Sequence, residues 1–259
     1  MSAASTVRAI VVRDLSRAAR QRSRLLGGLV RPFMWLLLVG TGYNAIAHVE
    51  GAVSYRAYVF PGMVVMASLF GAMLTAISTV YDREFGMLRL MLASPAGVPT
   101  ILAGRALAAT FVGALQGAVV LLCLPLVASV TPGQGIGACA ALMLSAATSS
   151  VLGLLVAAPL RSVENFAGVI NIVLFPLLFL SGALYPTGRM PAALGVLARI
   201  NPVSYMVDLM RHALGQPTEF GITVSLTVLL ATTVVAFMLT TVIFDPEQRF
   251  TARQQTARS

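Results

Sequence analysis

The sequence predicts an all-α membrane protein with six transmembrane helices, and three observations predict it. Six apolar runs, 29–46, 57–80, 101–129, 135–158, 165–185 and 220–244, fill the chain, each close to or above the ~20 residues that carry a helix across a bilayer. Hydrophobic residues make up 58% of the 259 and charged residues 10%, whereas soluble domains run at about 45–50% and about 25%. The charges sit almost entirely in the gaps between the runs. Lipid wets such a chain directly, provided each backbone polar group is paired inside a helix or closed barrel. The spans consume most of the length and leave no room for a separate soluble catalytic domain. Residues 1–259 therefore read as one membrane domain.

The first element is an amphipathic helix over 5–26. Val7, Val11, Leu15 and Ala18 recur at helical spacing, as do Arg13, Arg17, Arg20 and Arg24. At ~100° per residue the two sets fall on opposite faces. Such a helix is expected to lie in the membrane plane, with its arginines toward lipid phosphates. The first apolar run follows this arginine-rich lead and is long enough to span, so it is expected to stay attached as the first membrane helix.

The net charge of +9 comes from eighteen arginines and no lysine. In a membrane protein this excess marks the cytoplasmic side rather than nucleic acid. With six spans and an inner N-terminus, fourteen arginines fall in inner pieces and four (Arg56, Arg189, Arg199 and Arg211) in outer ones. Both termini are thus expected in the cytoplasm. Arg31 and Arg105 are expected near span ends, snorkelling to the interface. Without lysine the chain has no phosphate-binding P-loop, so any ATP must be bound by another chain.

Between spans two and three lies Asp82-Arg83-Glu84-Phe85-Gly86-Met87-Leu88, running to Ala93-Ser94-Pro95. Charges open the segment, an apolar helical stretch follows, and Pro95 ends it. An apolar cytoplasmic helix needs a partner groove or the membrane surface, so 82–95 is expected to dock a cytosolic partner. Spans three and four are separated by a tight turn at Val130–Gly135 around Pro132. Between spans five and six, 186–215 is expected to form short helices on the outer side, dipping into the bilayer. Asn201 with Pro202 is a helix start and Gly215 a stop. Asp208 and Arg211, three apart, are expected to pair on one face.

These segments together resemble the permease subunits of type-2 ABC exporters, the group that includes daunorubicin-resistance and nodulation-factor export permeases. The resemblance rests on Asp82–Leu88 with Ala93-Ser94-Pro95, on Phe175-Pro176 with Ser181-Gly182 and Pro186, and on Asn201-Pro202-Val203-Ser204-Tyr205 with Asp208 and Arg211. It covers essentially the whole chain, although Met87 departs from the small polar residue often found there. It implies a half-transporter that pairs with a second copy or a similar permease and with a pair of soluble ATPase subunits. ATP and Mg would sit on the ATPases, with no cofactor in this chain. It further implies a bacterial inner-membrane location and ATPase coupling through Asp82, Arg83, Glu84, Phe85, Gly86, Met87 and Leu88, with Arg83 and Glu84 as the polar contacts. Asn201, Pro202, Tyr205, Asp208 and Arg211 would belong to the outer cap of the pathway.

Other chemistries find little support. His48 and His212, the only histidines, are both assigned to the outer side and offer at most a metal pair. Cys123 and Cys139 read as small core residues. Ser145, Ser149 and Ser150, with Gly113, Gly117 and Gly153, read as helix-packing residues. No span centre carries an acidic residue of the kind ion-driven carriers use, and no internal repeat links the two halves. An ion-driven secondary transporter working without an ATPase is the alternative; an intramembrane lipid enzyme lacks a convergent site. The wall of aliphatic and small residues, with aromatics at 7%, suits an amphipathic drug, lipid or lipid-linked small molecule.

Overall fold

The computed structural model describes residues 3–39, 42, 55–92, 96–127 and 131–256, all of whose regular elements are helical. In chain order they are α1 (Ala3–Arg20), α2 (Arg22–Met34) running into a π-helical turn (Trp35–Val39), α3 (Tyr55–Glu84), α4 (Met87–Leu92), α5 (Val98–Leu121) with a 3-10 turn at Leu124–Leu126, α6 (Pro132–Ala157), α7 (Val163–Phe179), a 3-10 turn at Thr187–Arg189, α8 (Ala192–Ile200), α9 (Pro202–Ala213) and α10 (Ile222–Thr256). Four stretches, Tyr55–Glu84, Val98–Leu126, Pro132–Ala157 and Ile222–Phe244, are long and apolar enough to cross a membrane. Leu25–Leu38 and Val163–Phe179 are apolar but shorter. The upper part of the expected first span, His48, and Ala93-Ser94-Pro95 lie outside the described residues.

Helix α3 is the mast of the bundle, buried along nearly its whole length. Small residues bring its neighbours close. A methyl group added at Gly113 of α5 would lie 2.7 Å from the Ser68 carbonyl oxygen, and one added at Gly153 of α6 would lie 3.2 Å from Ala76. Thr110 and Ser150 share a hydrogen bond of 3.0 Å between α5 and α6. Ser149 donates to the Met206 sulfur, and Ser145 is fully buried. The small residues thus serve packing, as the sequence predicts. Cys123 is partly buried, but Cys139 is exposed; it lies on the outward face of α6, not in the core.

The turn expected near 130–135 is a true helix start. Thr131 and Gln134 form a reciprocal capping box with Pro132 at the first helical position, which satisfies two otherwise unpaired backbone donors. Contacts at Gly117 with Leu142 and Thr110 with Ser150 run α5 and α6 antiparallel. The first and last helices meet the same end of α3: Arg13 and Arg17 reach Asp82, and Phe244 lies under the Arg83 guanidinium.

Several expected boundaries shift for identifiable reasons. The second span runs on to Glu84, so Asp82, Arg83 and Glu84 end a long helix and do not begin a new one. The fifth run forms only α7, a rise of about 25 Å against a hydrocarbon core of ~30 Å. Beyond Phe179 the chain turns at Gly182, whose φ is +75°. There Tyr58 Oη donates to the Gly182 carbonyl and Tyr55 Oη to that of Leu184. The expected in-plane course of 5–26 is not seen. Ile10 packs against Gly104 and the Leu25 carbonyl accepts from Gln116 Nε2, so α1 and the start of α2 climb along α5. The faces differ too. Ile10 and Asp14 are buried, while Arg13 and Arg17 turn to a carboxylate on α3, which forms charge-assisted hydrogen bonds with them.

Candidate functional site

At the end of the bundle marked by Asp82, one carboxylate gathers three arginines from two other helices. Arg105 Nη2 of α5 donates to Asp82 Oδ2 at 2.6 Å, Arg13 Nη2 of α1 to the same oxygen at 3.0 Å, and Arg17 Nη1 to Oδ1 at 3.0 Å. Arg105 Nη1 also donates to Thr79 Oγ1. Its side chain is 1% exposed and that of Asp82 7%, against 37% and 39% for Arg13 and Arg17. A cation this deep needs a partner, and here a carboxylate supplies it, so Asp82 and Arg105 form the inner pair and the α1 arginines its rim. The sequence predicts Arg105 at an interface; burial against Asp82 replaces that. Arg13 also holds Asp14 Oδ1 through Nε and Nη2. Partial burial works against the Arg13 charge, but Asp14 and Asp82 beside it outweigh that and raise its pKa above the ordinary arginine value.

The next two residues fasten other helices. Arg83 Nη1 donates to the Ala157, Ala158 and Leu160 carbonyls at the end of α6, where unpaired oxygens and the helix dipole favour a cation. Glu84 Oε2 accepts from the Val163 backbone N–H, the first residue of α7, the matching arrangement for an anion. Arg83 and Glu84, expected to meet a partner, are engaged within the chain. Gly86 then reverses the backbone with φ +77°. On either side of it, Phe85, Met87 and Leu90 stand out at 72%, 48% and 70% exposure, while Leu88 is buried. The expected single helix over 82–95 is thus a helix end, a glycine turn and the short α4. What emerges is an apolar tip on a charged, internally fastened stem.

A small cavity lies between α1, α3 and α5, bordered by Asp14, Arg17, Gln21, Thr75, Ser78 and Gln116. It is roomy enough for one water-sized group. Asp14 Oδ2 and Gln116 Oε1 are buried without a hydrogen-bond partner among the described residues, so two acceptors are available there.

The opposite end is closed by α9. Asn201 Oδ1 accepts from the Val203 N–H and its Nδ2 donates to the Leu177 carbonyl. Pro202 takes the first helical position, and Gly215 ends the segment at φ +68°, as the sequence predicts. Tyr205 Oη donates to the Arg199 carbonyl. Asp208 and Arg211 do not pair with each other. Asp208 accepts from the Glu219 and Phe220 backbone N–H groups and from Ser225 Oγ. Arg211 Nη2 donates to the Gly182 carbonyl at 2.7 Å, with its guanidinium over the Tyr58 ring. Helical spacing permits their pairing, but loops with unpaired backbone groups lie closer. Sequence reasoning missed Asp14, Thr79, Tyr55, Tyr58 and Ser225. A lone arginine inside an apolar run was the available signal, since it requires an acid elsewhere.

Residues 5–215 match the family model described as ABC-2 type transporter. Nodulation protein J of Rhizobium leguminosarum bv. trifolii is 31% identical over 199 residues, 74% of this chain and 75% of that one. The ycf38 transport permease of Pyropia yezoensis is 27% identical over 211 residues, covering 80% and 72%. The probable multidrug ABC transporter permease YbhR of Escherichia coli (strain K12) is 29% identical over 200 residues, covering 74% and 51%. With the family model spanning α1 to the end of the α9 segment, the chain belongs to the ABC-2 type transporter permease family.

Proposed function

We propose that this protein is the membrane-spanning subunit of an ATP-driven exporter. Both termini and the Asp82 end face the cytoplasm of a bacterial inner membrane, and six segments cross the bilayer. Two permeases, identical or similar, pair with soluble ATPase subunits that carry the ATP and Mg. The cargo is an amphipathic drug, lipid or lipid-linked small molecule. The observation that carries the reading is the apolar tip of Phe85, Met87 and Leu90, held on a stem that Asp82, Arg83 and Glu84 tie to α1, α5, α6 and α7. An exposed apolar knob invites a groove on a partner, and the fastened stem passes a push at the tip to four helices. Asp82, Arg83 and Glu84 then act as positioning residues, while Phe85, Met87 and Leu90 make the contact. Nucleotide drives the change only if it binds two arrangements of the complex with different affinity. At the far end Asn201, Pro202, Tyr205, Asp208 and Arg211 hold the cap of the pathway.

The test is a Phe85→Ser, Met87→Ser, Leu90→Ser triple variant reconstituted with the cognate ATPase. The expected result is loss of ATPase association and of transport-coupled hydrolysis, with the permease's own thermal stability unchanged. Full coupling in the triple variant would overturn the assignment.

A further inference from the structure

Among the described residues, Arg31 has neither a counter-ion nor a carbonyl partner. Arg31 of α2 is exposed, and its guanidinium lies over the Phe70 ring, 4.9 Å from the centroid. Among the same residues no ion pair or hydrogen bond involves its side chain. Phe70 sits near the middle of α3, about 18 Å from Asp82 and about 22 Å from Tyr55 along the helix. Gly28, one turn earlier on α2, faces Gln116, which also meets Gly71 of α3, so α2 runs at this height beside mid-α3. The sequence expectation of a snorkelling residue at a span end is therefore corrected: Arg31 stands at mid-height and holds its charge over an aromatic face.

A charge at that depth faces water, protein or a ligand, never bare hydrocarbon, and marks pathways in membrane proteins. No carboxylate among the described residues pairs with it. Asp82, Glu84 and Glu164 sit at one end of the bundle and Asp208 and Glu219 at the other, while Asp14, which borders the cavity beside Gln116, is held by Arg13. Glu50, Asp245 and Glu247, the remaining acids, flank the apolar runs in the sequence. A second copy in the same orientation would bring the same acids to the same two ends. The local backbone is also irregular. Pro32 removes the N–H that would pair with the Gly28 carbonyl, and the helix passes into the π-helical turn Trp35–Val39, a form frequent at functional sites. Gly27, one turn nearer the Asp82 end, stands beside open space.

We propose that Arg31, backed by Phe70, binds the anionic head of an amphiphile, a phosphate, sulfate or carboxylate, at mid-height of the permease. The cargo class thereby narrows to anionic amphiphiles, and this step rests on the export reading. Guanidinium suits such groups because its planar fork matches their oxygens. Apolar side chains exposed on the same helix, Val30, Met34 and Leu38, are placed to contact the tail.

Trp35, the chain's only tryptophan, lies one turn from Arg31 and reports on the site. The full-length permease in phosphatidylcholine nanodiscs is titrated with dodecyl phosphate, dodecyltrimethylammonium and dodecyl maltoside while Trp35 emission is followed. Dodecyl phosphate is expected to give a saturable change at least about tenfold earlier than the other two. Arg31→Gln is expected to abolish that preference, and Arg31→Lys, which keeps the charge but loses the planar fork, to weaken it while leaving dodecyl phosphate the preferred probe. Equal half-saturation for the three probes in the unmodified protein overturns the proposal without any variant, as does an unaltered preference in Arg31→Gln. Repeating the titration in discs of about one-third phosphatidylglycerol names the source. Competition by the lipid assigns the site to membrane phosphate, and its absence to a diffusing amphiphile. No ATPase is present, so a failed titration leaves the coupling assignment standing, and failed coupling leaves the titration interpretable.

Discussion

Replacing Asp82 by asparagine keeps the shape and deletes the charge that three arginines share. Removing one partner of a buried ion pair costs about 3–5 kcal/mol, because the other charge is left in a poorly polarisable interior. Arg105, 1% exposed, is that other charge. The rim pairs to Arg13 and Arg17 are more than a third exposed and add at most about 1 kcal/mol each. Arg105 keeps its bond to Thr79 Oγ1, which places Asp82→Asn toward the lower end, about 3 kcal/mol. The assay is unfolding of the purified permease in mixed micelles by titration with a denaturing detergent, with Arg105→Met and the double variant measured alongside. Arg105→Met leaves a carboxylate that still has two arginines, so it should cost less than Asp82→Asn. The double variant should recover much of the loss, since no buried charge then stands alone. A loss below about 1 kcal/mol for Asp82→Asn, or additive effects in the double variant, would refute the reasoning.

Close packing at one seam and capping at the far end give two further outcomes. Gly113→Ala puts a methyl group 2.7 Å from the Ser68 carbonyl oxygen, a backbone atom that cannot swing aside; α3 and α5 must separate, at about 1–3 kcal/mol, read in the same unfolding titration. Asp208→Ala strips the acceptor from two backbone N–H groups and Ser225, so proteolysis at 216–221 should accelerate while Asp82-end contacts, followed by crosslinking of cysteines introduced at 10 and 104, stay intact.

The helices were legible because lipid imposes long apolar runs, and a run of that length has few other homes. The start at Asn201-Pro202 and the stop at Gly215 were legible because capping chemistry is local. Partners were not. Helical spacing reports which residues share a face of one helix, which is why it pairs Asp208 with Arg211. Their real partners lie in loops at Gly182 and at Glu219 and Phe220, brought near by tertiary packing alone. Likewise Asp82 and Arg105 are joined by the antiparallel register of α3 and α5, which the glycines at the seam set. The climb of α1 along α5 was hidden for a related reason: its arginine-rich face resembles one made for lipid headgroups until the acid on α3 is known.

The sharing of Asp82 has a consequence for how the chain is built during synthesis. Arg17 and Arg13 precede it by 65 and 69 residues, and Arg105 follows it by 23. As α3 enters the bilayer, its carboxylate meets arginines already made, so this helix need not insert with a naked anion. Arg105 emerges later and finds an acceptor waiting, which lets an apolar helix with a cation near its start partition sideways into lipid. Order of translation thus supplies each charge with company at the moment it leaves water, and moving the first twenty residues to the C-terminus would take that company from α3.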